Sequence, residues 1–178
     1  MKKVCVVMLV MLMGMMLCAC GASSAVSIDS LEKAFQDQNE DLVFTVVEEE
    51  SGYSFEYTED GWVTSISYQG TANRKSMVES VTIVNQNVNI QLLTNASKLT
   101  DAVTKRPGDM TVNDLRVAYC VAEVTKLYTL MSGEAEDMDV TELLGVFISG
   151  DVIETNGWVI KATTDADANL CTITAEYR

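Results

Sequence analysis

Thr111 to Gly133 reads TVNDLRVAYCVAEVTKLYTLMSG. Apolar residues fall at Val117, Cys120, Val121, Val124, Leu127, Tyr128 and Met131. Steps of three and four place them on one face of an α-helix. Thr111, with Asp114 three residues later, makes a capping-box-like start, and Gly133 supplies the stop. Leu115, Ala118, Tyr119, Ala122 and Leu130 populate much of the opposite side. A helix that is apolar on two sides is largely buried. The segment therefore reads as the central helix of the domain, with Cys120 facing the main stripe.

The chain on either side of this helix alternates between strands and turns. Residues 27–38 (SIDSLEKAFQDQ) predict a short helix with Leu31, Ala34 and Phe35 on one face, capped by Ser27 or Asp29. Residues 42–50 and 53–58 predict two strands, and 62–69 a third after the turn Glu59-Asp60-Gly61. Residues 77–93 predict two strands broken near Asn85-Gln86-Asn87, and 96–105 a short helix. After the central helix comes an acidic loop, 133–139. A second helix follows, with Val140, Leu143, Leu144, Phe147 and Ile148 on one face, ending at Gly150. Asn156-Gly157 predicts a hairpin, and 158–164 and 170–177 the closing strands. The sum is an α+β fold. Antiparallel hairpins and meanders pack against a long central helix and shorter helices, in one domain over residues 27–178.

One echo runs through this pattern. Glu59-Asp60-Gly61-Trp62-Val63 matches Thr155-Asn156-Gly157-Trp158-Val159 in plan: turn, Gly, Trp, Val, strand. A duplicated helix-plus-meander fold would explain it, an architecture similar to some small inhibitor and propeptide-like domains. The plainer explanation is that strands often begin on an aromatic after a turn.

Composition narrows the chemistry. The chain carries 12 basic and 26 acidic residues, a formal net charge of −14. Such a field repels nucleic acid and anionic headgroups and favours a basic protein or peptide as partner. There is no histidine. That removes Ser-His-Asp and Cys-His catalysis and His-ligated zinc. No Gly-rich phosphate loop, nucleophile elbow or H-E-x-x-H is present, and no cofactor is implied. Catalysis by carboxylates alone is the alternative that composition leaves open.

The N-terminus reads MKKVCVVMLVMLMGMMLCACG over residues 1–21. Lys2 and Lys3 precede an apolar run from Val4 to Leu17, which is shorter than the roughly 20 residues needed to span a bilayer. Leu17, Ala19 and Cys20, followed by Gly21, resemble the lipobox of bacterial lipoproteins. Cys18 departs from the small or hydroxyl residue usual at that position. The resemblance implies a signal peptide over 1–19 and a diacylglycerol on Cys20. It also implies a mature chain held by lipid on the extracytoplasmic face of the cell membrane. A plain secretory signal is the alternative, and Cys20 between two small residues speaks against it. Two acyl chains give stable attachment where one is marginal. Residues 20–26 then form the lipidated Cys and a short tether, of which Gly21 to Ala25 reaches at most about 18 Å.

Four groups of residues remain as candidate sites. With Cys20 taken by lipid, Cys120 and Cys171 are left as a possible disulfide or as two buried thiols. Asp165, Asp167 and Asn169, with Glu176, match oxygen-ligand positions of a calcium loop. The sixth position, however, is Leu170 rather than Gly, and the flanks read as strands. Glu48-Glu49-Glu50 and Glu134-Glu136-Asp137-Asp139 are acidic clusters, which are normally solvated. Tyr53, Phe55, Tyr57, Trp62 and Tyr68 form an aromatic set that reads as core, with a stacking platform as the alternative. The functional expectation is a non-catalytic, membrane-anchored binding or interaction module.

Overall fold

The computed structural model describes residues 26–36, 45–49, 52–59, 62–71, 74–133 and 140–178. The signal segment, Cys20, most of the tether and the acidic loop 134–139 lie outside the described residues. The chain begins with helix α1 (Ile28–Gln36) and strands β1 (Thr45–Glu49), β2 (Gly52–Glu59), β3 (Trp62–Thr71) and β4 (Arg74–Asn85). Helices α2 (Ile90–Leu93), α3 (Ala96–Thr104), α4 (Val112–Ser132) and α5 (Val140–Ile148) follow. Strands β5 (Ile153–Thr155), β6 (Trp158–Asp165) and β7 (Leu170–Tyr177) close the fold.

The seven strands among the described residues join one antiparallel sheet in the order β1-β2-β3-β4-β7-β6-β5. Period-two alternation decides its faces. Val81, Ile83, Ile160, Ile173 and Ala175 are buried on one face. Ser67, Thr82, Thr163 and Thr172 take the intervening positions and are partly or fully exposed. Register sets Tyr53 opposite Tyr68, Phe55 opposite Ile66 and Tyr57 opposite Thr64. Thr64 is buried, and the side chains of the aromatic set Tyr53, Phe55, Tyr57, Trp62 and Tyr68 lie outside the described residues.

The central helix runs as its sequence predicts. The Thr111 hydroxyl accepts from the Asp114 N–H, and the Asp114 carboxylate accepts from the Thr111 N–H, closing the capping box. Gly133 ends it at φ +69°, the left-handed conformation that costs glycine nothing. Val117, Cys120, Val124 and Leu127 are fully buried, and the second apolar side is partly buried. α4 packs against β5, β6 and β7 and against α1, α3 and α5, which makes it the hub of the helical layer. Ser27 caps α1 by accepting from the Ser30 N–H at 3.1 Å. Leu31 and Phe35 then drop into the core.

One expectation is corrected. Residues 77–93 form a single strand, β4, followed by helix α2, and not two strands. Asn87 turns the chain at φ +58°. Asn89 then caps α2, its side-chain oxygen accepting from the Leu92 N–H at 3.1 Å. Val88, Ile90 and Leu92 alternate as in a strand, but Ile90 and Leu93, at helical spacing, are the α2 residues that become buried.

Candidate functional site

Three groups of side chains and a buried cysteine pair carry chemistry. The first is a polar chain inside the core. The Thr64 hydroxyl donates to the Asn85 side-chain oxygen at 2.5 Å, and the Asn85 amide donates to a Glu123 carboxylate oxygen at 2.5 Å. Thr64 and Asn85 are wholly buried, and Glu123 is 2% exposed. The chain links β3, β4 and α4 where the sheet meets its central helix. Lys126, one turn on from Glu123, places its ammonium 4.6 Å from the Phe35 ring centroid, within cation–π reach. Burial pushes the Lys126 pKa down to about 7, against the pull of the Glu123 charge. A buried carboxylate is tolerated only where it is hydrogen-bonded, and Asn85 supplies such a bond here.

The second group ties together the ends of two helices. The Asp114 carboxylate accepts from the Thr111 N–H and hydroxyl and from both approaches of the Lys105 ammonium, at 2.7 to 3.0 Å. Burial alone would raise its pKa. The bonds from Thr111 and Lys105 outweigh that and hold it below the usual carboxylate value. Cys120 and Cys171 are reduced thiols, both fully buried. They lie together between α4 and β7. A bond with Cys171, then burial, drive the Cys120 thiol well above its ordinary pKa. An inert thiol, rather than a reactive thiolate, follows from that environment.

The third group faces solvent. Where β4 ends, the β4–α2 connection, the first turns of α4 and the β6–β7 turn enclose an open cleft of about 630 Å³. Asn87, Asn89, Gln91, Asn113 and Asn169 bring five carboxamides to its lining, and Arg116 a guanidinium. Its walls are cross-braced. Arg116 Nη1 donates to the Asn87 carbonyl at 3.1 Å, and the Val88 N–H donates to the Asn169 carbonyl at 3.0 Å. Asn87 and Asn169 both sit at positive φ, +58° and +52°, a conformation that asparagine accepts more readily than most residues.

This cleft absorbs part of the proposed calcium loop. Asp165 Oδ1 accepts from the N–H groups of Asp167 and Ala168, both at 3.0 Å, so it shapes the β6–β7 turn. Asn169 belongs to the cleft wall. Glu176 pairs with Val159 at the other end of the hairpin, about 20 Å along the strand from the turn. It lies 3.9 Å from Lys161 there. Among the described residues no three Cys, Asp or Glu side chains cluster as metal ligands. No described helix is long and apolar enough to cross a membrane. Glu48 and Glu49 end the edge strand β1, and the second acidic cluster lies outside the described residues.

The buried Glu123 and the carboxamide cleft both escape a motif-based reading. Glu123 follows Cys120 by three residues and precedes Leu127 by four. A charge on the buried stripe was its signal. The cleft's signal was the density of amides in Asn85-Gln86-Asn87-Val88-Asn89, which a strand-and-break reading spends on a turn.

Comparison with protein-family models, with curated proteins and with solved structures gives no match.

Proposed function

We propose that the protein is a lipid-anchored, extracytoplasmic, non-catalytic binding module. The observation that carries this reading is Leu17-Cys18-Ala19-Cys20-Gly21 at the end of a short apolar run with a cationic start. The interior chemistry supports the second half of the proposal. Asp114, Glu123, Cys120 and Cys171 are all buried, and their bonds serve the fold. The solvent-facing cleft offers carboxamides, which hydrogen-bond but do not exchange protons near neutral pH. Removing residues 1–19 takes Lys2 and Lys3 and leaves a formal charge of about −16, so a protein partner would present a basic surface.

The test is metabolic labelling of the full chain with an alkyne fatty acid in a bacterial host. The expected result is label on the membrane-bound chain, with the Cys20→Ala variant unlabelled and released from the membrane. A wild-type chain that leaves the cell without label would sink the anchor.

A further inference from the structure

The carboxamide cleft has a composition that the rest of the chain does not share. The sequence holds 26 acidic residues, yet no carboxylate is among the side chains lining the cleft. Five of them are carboxamides and one is a guanidinium. Each carboxamide offers two N–H donors and a carbonyl acceptor in one plane. That set matches a ligand whose groups both donate and accept, namely hydroxyls and secondary amides. It does not single out a cation, because no lining group is anionic. It does not single out an anion either. The lining guanidinium, Arg116, holds the Asn87 carbonyl at 3.1 Å as a brace across the cleft. The net charge of −14 also opposes the approach of anions.

The cleft is also preorganised. The three wall segments come from β4–α2, α4 and β6–β7; a backbone bond from Val88 to Asn169 joins the first to the third, and the Arg116 side chain joins α4 to the first through the Asn87 carbonyl. The Asn89 oxygen is held by the α2 N-terminus. Gln91, Asn113 and Asn169 are exposed at the rim. Walls that are already ordered spare a ligand the entropy of ordering them. A volume of about 630 Å³ lies within the range of small-ligand sites, and the cleft is open to solvent along its length.

We propose that this cleft binds an uncharged saccharide bearing hydroxyl and N-acetyl groups, with Gln91, Asn113 and Asn169 making the contacts at the rim. The proposal rests on the binding-module reading and gives that reading a site and a ligand class.

The experiment is an NMR titration of the side-chain amides of the ¹⁵N-labelled full chain in detergent micelles. The probe is the β-1,4-linked tetramer of N-acetylglucosamine, added up to about 10 mM. Saturable shifts confined to the amides of Gln91, Asn113, Asn169 and their neighbours are expected. Gln91→Ala and Asn113→Ala should each weaken binding about two- to tenfold, the range for one lost hydrogen bond. Both positions are exposed, so the rest of the spectrum should stay unchanged. Unmoved cleft amides at the highest concentration would overturn the proposal. So would wild-type affinity in both variants, or displacement of the tetramer by glutamate or inorganic phosphate. The titration reads the cleft whether or not Cys20 carries lipid, so its failure and a failure of anchoring are separate results.

Discussion

Among the described residues, Lys126 is the one whose pKa the fold moves into the physiological range. Its pKa falls to about 7 from an ordinary 10.5, because burial penalises the ammonium more than Glu123 supports it. Between those two values the unfolded chain holds a proton that the folded chain has released. Stability therefore rises with pH through that interval and sits on its lower plateau below pH 7. The chain has no histidine, so no imidazole titrates in the same window. Denaturant unfolding at pH 6 and pH 8.5 should show a gain of about 2 kcal/mol for the wild type. Lys126→Met should remove most of that gain. Equal gains in the two proteins would mean that the ammonium reaches water in the folded state. Glu123 and Lys126 were legible only in part. The helical period places both on α4, and it says nothing about Asn85 arriving from β4 to receive Glu123. That pairing is set by sheet register, which no local pattern encodes.

At the scale of elements, caps decide where the chain changes direction. Asn89 separates a 12-residue strand from a four-residue helix that has too few turns to form alone. Its side-chain oxygen satisfies the Leu92 N–H, and burial of Ile90 and Leu93 supplies the remaining hold. Asn89→Ala should cost about 1 kcal/mol by denaturant unfolding, and Asn89→Asp much less. An alanine variant as stable as the wild type would assign α2 entirely to packing. The same element shows where sequence reading ends. Val88-Asn89-Ile90-Gln91-Leu92 alternates as faithfully as any strand in the chain, because both periods fit so short a run. The long helix had no such ambiguity. Twenty-one residues, a capping box and a left-handed glycine all agree on α4. The hairpin at Asn156-Gly157 was equally plain, since both residues take the positive φ that a two-residue turn demands.

At the scale of the molecule, the strand order is nearly a palindrome. β2-β3-β4 and β5-β6-β7 are both meanders, and they meet as antiparallel neighbours at β4 and β7. Trp62 opens β3 and Trp158 opens β6, each paired with the residue three places earlier, Glu59 and Thr155. The sequence echo thus falls on the middle strand of each meander. Two halves do not make two units, however. β4 and β7 share six paired positions, from Ser80 with Glu176 to Asn85 with Cys171. One core runs from Leu31 and Phe35 of α1, through Ile83 and Ile173, to Trp158. α4 touches elements of both halves. Separating the halves would expose that shared face, so neither can unfold while the other keeps its packing. The two tryptophans report on this directly, one from each half. In Trp62→Phe and Trp158→Phe, the remaining tryptophan's fluorescence and the far-UV circular dichroism should give the same denaturant midpoint within each variant. Trp158 is 1% exposed and sits edge-on to Tyr177 at 5.4 Å, so its replacement should lower the midpoint while leaving the two probes coincident. A fluorescence midpoint that departs from the circular dichroism in either variant would divide the sheet at the β4–β7 seam.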